Sequence, residues 1–471
     1  MVRRILIACI AAVSAGSLVS CRTMEVSKRC DVNDLLAKGY RHDENGWIFL
    51  HIEGKPFERG FQRGYLTADE IDEFLKTLAY VEEFETGQDL DSFVRAACKL
   101  FKGKVPAEYV EEMRGIAAGM NHAGKDVTYD QVLYMNGFID VLWYWWPQAK
   151  RAGAGDHPGC SAFIATGDAT AGGQIVMAHN SWVGYALGKS ANLIVEIAPE
   201  QGHRVLMQSW GPLIYSGLDF FLTGAGLIGT ETTIGGFEHF NRRGIPVFCR
   251  ARQAMQYAES IDEWADIMIR HNSGAYANSW LLGDIRTGEI ACLELGLKYH
   301  GLRKKSNGYF TGSNVAEDTK VLRGETDASW DDVRSTAVSR RVRWGQLMKE
   351  HYGRIDVAVA KRMLADHYDV YLQQEQPSSR TICGHAELDD GRVPGAWGAY
   401  RPGGAFDGKV VDSGMAKNWR LWAKWGGSCD IGFSAEDFLA EHPQYDWLRG
   451  YLPDLPPQPW TVFPSGRGDS R

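Results

Sequence analysis

The chain has 471 residues and a formal net charge of −8, a balance that argues against nucleic acid as its partner. Hydrophobic residues make up 44% of it, ample for a large core, and the composition is that of a globular protein rich in Gly and Trp. Length alone allows two or three domains. Local basic runs such as RKK (303–305) read as solvated surface.

The first residues read as a targeting segment. Arg3 and Arg4 precede an apolar stretch, 5–19, of the length used for export and too short to span a bilayer. It ends in LVSC (18–21), which resembles a bacterial lipobox and predicts a signal removed at a lipidated Cys21. The expected location is therefore periplasmic or membrane-anchored. No other segment carries 18 consecutive apolar residues, so the mature chain is expected to be soluble or merely anchored.

The organisation expected after that signal (1–21) has three parts. A mostly helical segment and connector covers 22–159, a core covers 160–455, and a loose tail covers 456–471. Helices are predicted across 57–140. DEIDEFLKTLAYVEEF (69–84) repeats apolar residues at three- and four-residue steps. Pro106 opens another helix that ends near Gly124. Thr128 and Gln131 fit a capping box. Pro147, Gly153, Gly155, Pro158 and Gly159 then predict an exposed connector over 143–159. Past Cys160 the pattern turns to period two with short turns. Strands are predicted at 160–166, 174–180, 191–198, 203–210, 218–223, 226–234, 278–284 and 289–295. Helices are predicted after Ser260, at 331–350 and at 356–368. Helices grouped around a strand meander indicate layered α+β architecture. The RGD at 467–469 reads as chance in a loose tail.

Cys160 is the most suggestive thiol. If CSAFIAT and QIVMAHN pair around GDATAGG, opposed positions sum to about 341, and Cys160 faces Asn180 or Ser181. Cys160, Ala162 and Ile164 would share one face, and Ser161, Phe163 and Ala165 the other. The polar HNSW cluster (179–182) is expected at the open end of this hairpin, outside a dry core. A thiol at neutral pH is only a few per cent thiolate and needs a base. One source is an imidazole. The other is the cysteine's own α-amine, with a pKa of roughly 7.7–8.0, freed by a break at Gly159–Cys160. Glycine before the break permits the strained geometry of an N-to-S acyl shift.

Cys30, Cys98, Cys249, Cys292, Cys383 and Cys429 are the other cysteines of the mature chain besides Cys21 and Cys160. Their wide spacings fit no zinc motif, and export permits disulfides whose pairing the spacing leaves open. Cys383 and His385 in TICGH lack a second ligand pair, so no metal is expected there.

The segments CSAFIATGD…GQIVMAHNSW, MQSWGPLIYSGLDFFLTGAGLIGTETTIGG (207–236) and NSGAYANSWLLGD (272–284), in that order, resemble the phospholipase B-like family. That family belongs to the N-terminal nucleophile hydrolases. GKPFERGFQRG (54–64), EEMRGIAAGM (111–120) and SRRVRWGQL (339–347) look more like the related penicillin acyltransferase-like group. The resemblance implies a four-layer αββα sandwich that cuts itself before Cys160, leaving Gly159 as the carbonyl of the released end, and it implies no cofactor. It implies Cys160 as nucleophile and, through its amine, as base. It places His179, Asn180 and Trp182 beside the thiol, with Asn180 touching substrate. Asn272 is the implied oxyanion donor, Glu231 and Thr232 face the nucleophile, and Arg340 supports it, with Arg341 and Arg343 as alternatives. In the bile-salt relatives an Arg and an Asp stand where this chain has His179 and Trp182, which disfavours a bile-salt substrate. The implied reaction is hydrolysis of an acyl ester in a phospholipid or lysophospholipid. An N-acyl amide is the rival substrate. A thiol enzyme with an imidazole base and a non-catalytic surface lipoprotein are the other classes. The aromatics at 143–146 suit either an acyl pocket or the core.

Overall fold

The computed structural model describes residues 32–150, 159–393 and 397–465. A short helix, α1 (Val32–Leu36), precedes a hairpin of β1 (Tyr40–Glu44) and β2 (Trp47–Gly54). Its two-residue turn, Asn45–Gly46, has φ of 49° and 80°, the left-handed pair that Asn-Gly adopts at least cost. Helices α2 (Pro56–Leu66), α3 (Ala68–Thr86), α4 (Leu90–Phe101), α5 (Ala107–His122) and α6 (Tyr129–Asn136) follow, as the periodicity predicts. Thr128 and Gln131 form the expected capping box on α6. The glycines of GKPFERGFQRG and EEMRGIAAGM let α2 and α5 cross in backbone contact. A Cβ on Gly60 or Gly64 would run into the carbonyls of Glu112 or Ile116.

The first half of the predicted connector is helical, and 151–158 lie outside the described residues. A π-helix, Ile139–Trp145, and α7 (Trp146–Lys150) occupy its first half. Pro147 sits in the first turn of α7, where a missing N–H costs nothing. The aromatic run packs rather than looping out: Tyr144 is buried, and Trp146 meets Phe93 edge-on at 5.1 Å.

Next come β3 (Cys160–Gly167) and β4 (Gly173–Gly184), the expected hairpin, with Cys160 opposite Ser181 and Ala162 opposite His179. The chain continues through α8 (Tyr185–Gly188), β5 (Leu193–Pro199), β6 (Val205–Ser209), β7 (Phe220–Thr223) and β8 (Leu227–Thr233). Helices α9 (Val247–Tyr257) and α10 (Ile261–Ile269) lead to β9 (Asn278–Asp284), β10 (Glu289–Leu295), β11 (His300–Lys305) and β12 (Gly308–Gly312). Then come α11 (Thr319–Glu325), α12 (Thr336–His351) and α13 (Val357–Leu364). Short strands β13 (Tyr368–Asp369), β14 (Gln374–Glu375) and β15 (Gly403–Ala405) precede β16 (Asp407–Asp412), β17 (Leu421–Trp425) and β18 (Thr461–Phe463). The last of these corrects the loose-tail expectation. Phe463 is buried and stacks on Phe49 at 6.5 Å, which draws 461–463 onto the sheets, while the rest of the expected tail, 466–471, lies outside the described residues.

Among the described residues two large sheets form. One has nine strands in the order β1-β2-β5-β6-β7-β8-β9-β10-β11, with β2 and β5 parallel. The other has seven, in the order β12-β3-β4-β16-β17-β18, with β15 on β4. They pack face to face: a Cβ on Gly283 of β9 would sit 3.0 Å from Ile164 of β3 and 3.1 Å from Ile175 of β4. Helices cover both outer faces. Trp264 of α10 lies on Phe221 and Trp280 of the nine-stranded sheet, at 6.1 and 4.9 Å. Trp344 of α12 lies on Phe163 of the other at 5.5 Å, beside Val359, Ala360 and Met363 of α13. The architecture is the expected αββα sandwich. The segment before Cys160 is woven into it. It supplies two strands of the larger sheet, and Arg63 of α2 donates to the carbonyls of Trp210 and Gly211 at 2.9 and 2.6 Å.

No helix among the described residues is long and apolar enough to cross a membrane. The expected lipid site, Cys21, lies outside the described residues, as do Cys30 and the RGD. The six cysteines within them are free thiols, so no disulfide staples this part of the chain.

Candidate active site

Cys160 opens β3, and its face is set by the strand alternation. Ala162 and Ile164 join the core between the sheets, while Phe163 and Ala165 join the core under α12 and α13. Directly opposed residues point the same way, so Cys160, Ser181 and His179 share the inner face, and Ser161 and Asn180 the outer one.

The polar cluster is not at a wet end. His179 and Asn180 are fully buried, because β15, β16 and the segment 364–384 close over β4. Asn180 donates its amide to the carbonyls of Leu364 and Ile382, at 2.8 and 3.2 Å. It pins the outer loop and turns away from the thiol. Burial, aided by the Lys409 charge, pushes the His179 imidazole well below its usual range.

Around the Cys160 backbone the contacts are dense. Its N–H donates to Asn314 Oδ1 at 3.0 Å, and its carbonyl accepts from Arg340 Nη1. Arg340 also donates to Asn314 Oδ1 at 2.7 Å and Ser161 Oγ at 3.2 Å. Of the three arginines in SRRVR, Arg340 alone meets Cys160; Arg341 lies over Trp330 at 3.9 Å, and Arg343 pairs with Asp366 at 2.6 Å. Asn314 is held in turn by donating to Thr233 O at 2.6 Å. Gly159 fits between these groups: a Cβ there would lie 3.2 Å from both Arg340 Nη2 and Asn314 Oδ1.

Burial pushes the Cys160 thiol well above its usual range, and the Glu231 carboxyl adds to that; the Trp182 backbone N–H pulls the other way. Glu231 is itself raised by burial and by Asp219. Tyr276 Oη lies 2.5 Å from Asp219 and 2.8 Å from Glu231. A phenol has one proton to give, so the second contact requires a protonated carboxyl, consistent with the raised Glu231. Lys409, also buried, bonds Asp407 at 2.8 Å and Ser181 Oγ at 2.5 Å.

Asp219, Tyr276 and Asn314 all have positive φ, 60°, 59° and 72°, which is unusual for a bulky tyrosine. These residues, with Lys409 and Asp407, escaped the sequence reading because topology alone brings them to Cys160.

The expected oxyanion donor does not face an open site. Asn272 spends its amide on a turn, donating to Gly296 O at 2.6 Å and accepting from Gly274 N–H at 2.7 Å. Six residues on in the same motif, Asn278 is fully buried, and neither amide atom has a hydrogen-bond partner among the described residues. It pairs across the sheet with Thr233, whose carbonyl holds Asn314. Thr232 is buried, and its hydroxyl has no partner among the described residues; a Cβ on Gly312, which pairs with Ala162, would come within 2.6 Å of it. Trp182 sends its indole outward, under the Arg340 guanidinium at 4.3 Å and edge-on to Trp397 at 6.2 Å.

The profile of the phospholipase B family matches residues 41–290. The chain belongs to the phospholipase B family. The match covers β1 through the start of β10, hence the whole larger sheet but its end, and the β3–β4 hairpin. A relative from Archaeoglobus fulgidus, itself an uncharacterized protein, is 30% identical over 59% of this chain and 47% of its own length. Phospholipase B-like 1 of Bos taurus is 23% identical over 83% of this chain and 78% of its own. Phospholipase B of Crotalus adamanteus is 22% identical over 85% and 84%. A distant structural likeness exists to penicillin V acylase from Agrobacterium tumefaciens, with 11% identity, a TM-score of 0.34, and coverage of 56% of this chain and 83% of that one.

Proposed function

We propose that this chain is a hydrolase of acyl bonds that uses Cys160 as nucleophile after its own Gly159–Cys160 bond is cut. The observation that carries the reading is the seat around the Cys160 nitrogen. Asn314 Oδ1 already accepts from it, and Asn314 is fixed from two other sides. A free amine in that seat stays beside its own thiol. The nearby imidazole, His179, is held as a weak base by its burial, which favours the amine over the imidazole.

In this mechanism the Cys160 amine takes the thiol proton as sulfur attacks the acyl carbonyl. The amine then returns that proton to the leaving alcohol or amine. A thioester remains, and water, deprotonated by the same amine, releases the acid. Asn278, buried and with no hydrogen-bond partner for its amide among the described residues, is the candidate for the oxyanion role first given to Asn272. Arg340 and Asn314 position the new N-terminus. The preceding segment stays seated after the cut, because its strands and Arg63 bind the larger sheet.

The family relationship supports phospholipid or lysophospholipid esters as substrates. A cleft of about 500 Å³, whose lining does not include Cys160, has apolar walls of the kind that suit an acyl chain, from Leu78, Val81, Leu142, Trp143, Trp146 and Val183. The basic and apolar stretches before Cys21 support export and anchoring; a Cys21→Ser chain should then leave the membrane fraction.

The test is an intact-mass measurement with a substrate panel. Wild type should split at Gly159–Cys160 and hydrolyse lysophospholipid esters, and Cys160→Ala should stay whole and inactive. Full activity in an uncut chain overturns the amine base. Preference for N-acyl amides over esters moves the substrate but keeps the mechanism. A cut chain inactive on both leaves only a non-catalytic role.

A further inference from the structure

On the outer side of Trp182 four ligand-type side chains converge. His367 follows α13, Cys383 and His385 lie in the long segment between β14 and β15, and Cys429 lies in the turn after β17. Their donor atoms all lie within 4.8 Å of one another, and three of the four residues are buried. The spacing, fifteen residues, then one, then forty-three, follows no finger-like pattern. This is why TICGH looks like half a site in the sequence.

We propose that His367, Cys383, His385 and Cys429 bind one zinc ion as a closed Cys2His2 structural site. The donor set comes first. Two sulfurs and two imidazole nitrogens suit zinc, a borderline-soft ion, and not calcium or magnesium.

The spacing fits as well. Zn–S bonds of about 2.3 Å and Zn–N bonds of about 2.0–2.1 Å at tetrahedral angles put S and N donors about 3.5–3.6 Å apart. His385 Nε2 lies 3.4 Å from Cys429 Sγ and 3.7 Å from Cys383 Sγ.

The outer groups are those of a ligand set. His385 Nδ1 bonds Glu387 at 2.8 Å, and the other Glu387 oxygen accepts from the Tyr185 hydroxyl at 2.9 Å. That fixes the ring so that Nε2 faces the sulfurs, the carboxylate–histidine arrangement of metal sites. The Ile431 N–H reaches Cys429 Sγ, and the Ser428 hydroxyl reaches Cys383 Sγ, each at 3.4 Å. His367 buries Nε2 with no hydrogen-bond partner among the described residues.

The site has a task. The segment it fastens carries little regular structure, yet it forms the back wall of Trp182. A Cβ on Gly384, between the two ligands of that segment, would run into the Trp182 ring. Trp182 in turn carries the Arg340 guanidinium that bonds the Cys160 carbonyl. Four protein ligands leave no open position, so the ion fastens this wall and takes no part in hydrolysis. The proposal does not depend on the reaction assigned to Cys160.

The test uses the full chain, purified without a histidine tag or chelator and reconstituted with zinc under reducing conditions. Elemental analysis should find about one zinc per chain, falling to about a tenth or less in Cys429→Ser and His385→Ala and staying near one in Cys98→Ser. Where those variants fail to fold, cobalt-substituted wild type decides. It should show sulfur-to-cobalt charge-transfer bands and tetrahedral ligand-field bands, both lost on adding zinc. Three results overturn the proposal: no stoichiometric metal after reconstitution, octahedral cobalt bands, or zinc retained in Cys429→Ser. A Cys383–Cys429 disulfide that resists reduction, seen as an intact mass lower by two hydrogens, overturns it as well.

Discussion

Cys160 and Cys429 lie on two sides of one tryptophan, both buried, and their neighbours drive them in opposite directions. Burial and the Glu231 and Asp219 carboxyls push the Cys160 thiol up, against the Trp182 N–H and the Lys409 charge. The bond with Cys383 and the imidazoles of His367 and His385 pull the Cys429 thiol far down. Burial is common to both, so the partners decide. A thiol beside carboxyls stays protonated until a base arrives. In the proposed reaction the cut at Gly159–Cys160 supplies that base as the Cys160 amine. On that proposal one region is complete as folded and the other awaits a covalent event.

The sharpest way to break that contrast is to remove each sulfur in turn. Cys160→Ala should lower acyl hydrolysis by at least ~10⁴-fold and abolish the cut, while leaving thermal stability near wild type. Cys429→Ala should do the reverse, lowering the unfolding midpoint while each chain that stays folded is still cut. Activity assays beside melting curves separate the two. A Cys160→Ala chain that still turns over esters would remove the nucleophile from this site.

A smaller loss is expected from the oxyanion donor. Asn278→Ala should reduce kcat by about 10²–10³-fold with KM little changed, as loss of an interaction made only in the transition state does. Asn272→Ala should instead loosen a turn, since both of its amide atoms are already bonded there. Steady-state kinetics of the two variants side by side tests the assignment, and a larger kcat loss in Asn272→Ala would reverse it.

The contrast between these asparagines shows where a sequence stops being readable. The β3–β4 hairpin was legible because the pairing of adjacent strands is arithmetic: the predicted sum of 341 is met by Cys160 and Ser181. Strands β9 and β10 were legible from alternation and turn residues, and the layers from the grouping of elements. The hairpin of β1 and β2 carried a signal of its own, Asn45–Gly46, that a search for helices passes over. What stayed hidden is what distant segments share. Asn314, Lys409, Asp219 and Tyr276 come to the surroundings of Cys160 from four other segments of the chain. His367 and Cys429 complete a cluster with Cys383 and His385 from sixteen residues before the pair and forty-four after it. Within one motif, Asn272 and Asn278 differ only in which amide is bonded, and no spacing records that.

The wall shared by the two thiol regions can be strained directly. Gly384→Ala puts a methyl into the Trp182 ring, which is held between Arg340 and Trp397 and has little room to yield. Overpacking of this kind costs about 1–3 kcal/mol. Urea unfolding should show that loss, and the cut at Gly159 should slow as Arg340 moves with the ring. A stability loss with cutting unchanged would mean that the two regions are not coupled through Trp182.

The smallest effect is in pH, and its sign follows from the carboxyl pair on the Cys160 side. Burial raises Asp219 from 3.8 to about 6 and holds Glu231 well above its usual range. The folded chain therefore keeps protons that the unfolded chain gives up near pH 4. The pair's contribution to stability is complete below that pH and is lost as pH rises through 6, at about 1.4 kcal/mol per pH unit for each proton. Glu231→Gln keeps the shape and a hydrogen-bond partner for Tyr276 but cannot lose a proton. Urea unfolding across pH 4 to 7 should show wild type losing stability relative to this variant as pH rises. The opposite slope, wild type gaining, would place the pair among ordinary ionised carboxylates and would remove the carboxyl proton from the account of why Cys160 stays a thiol.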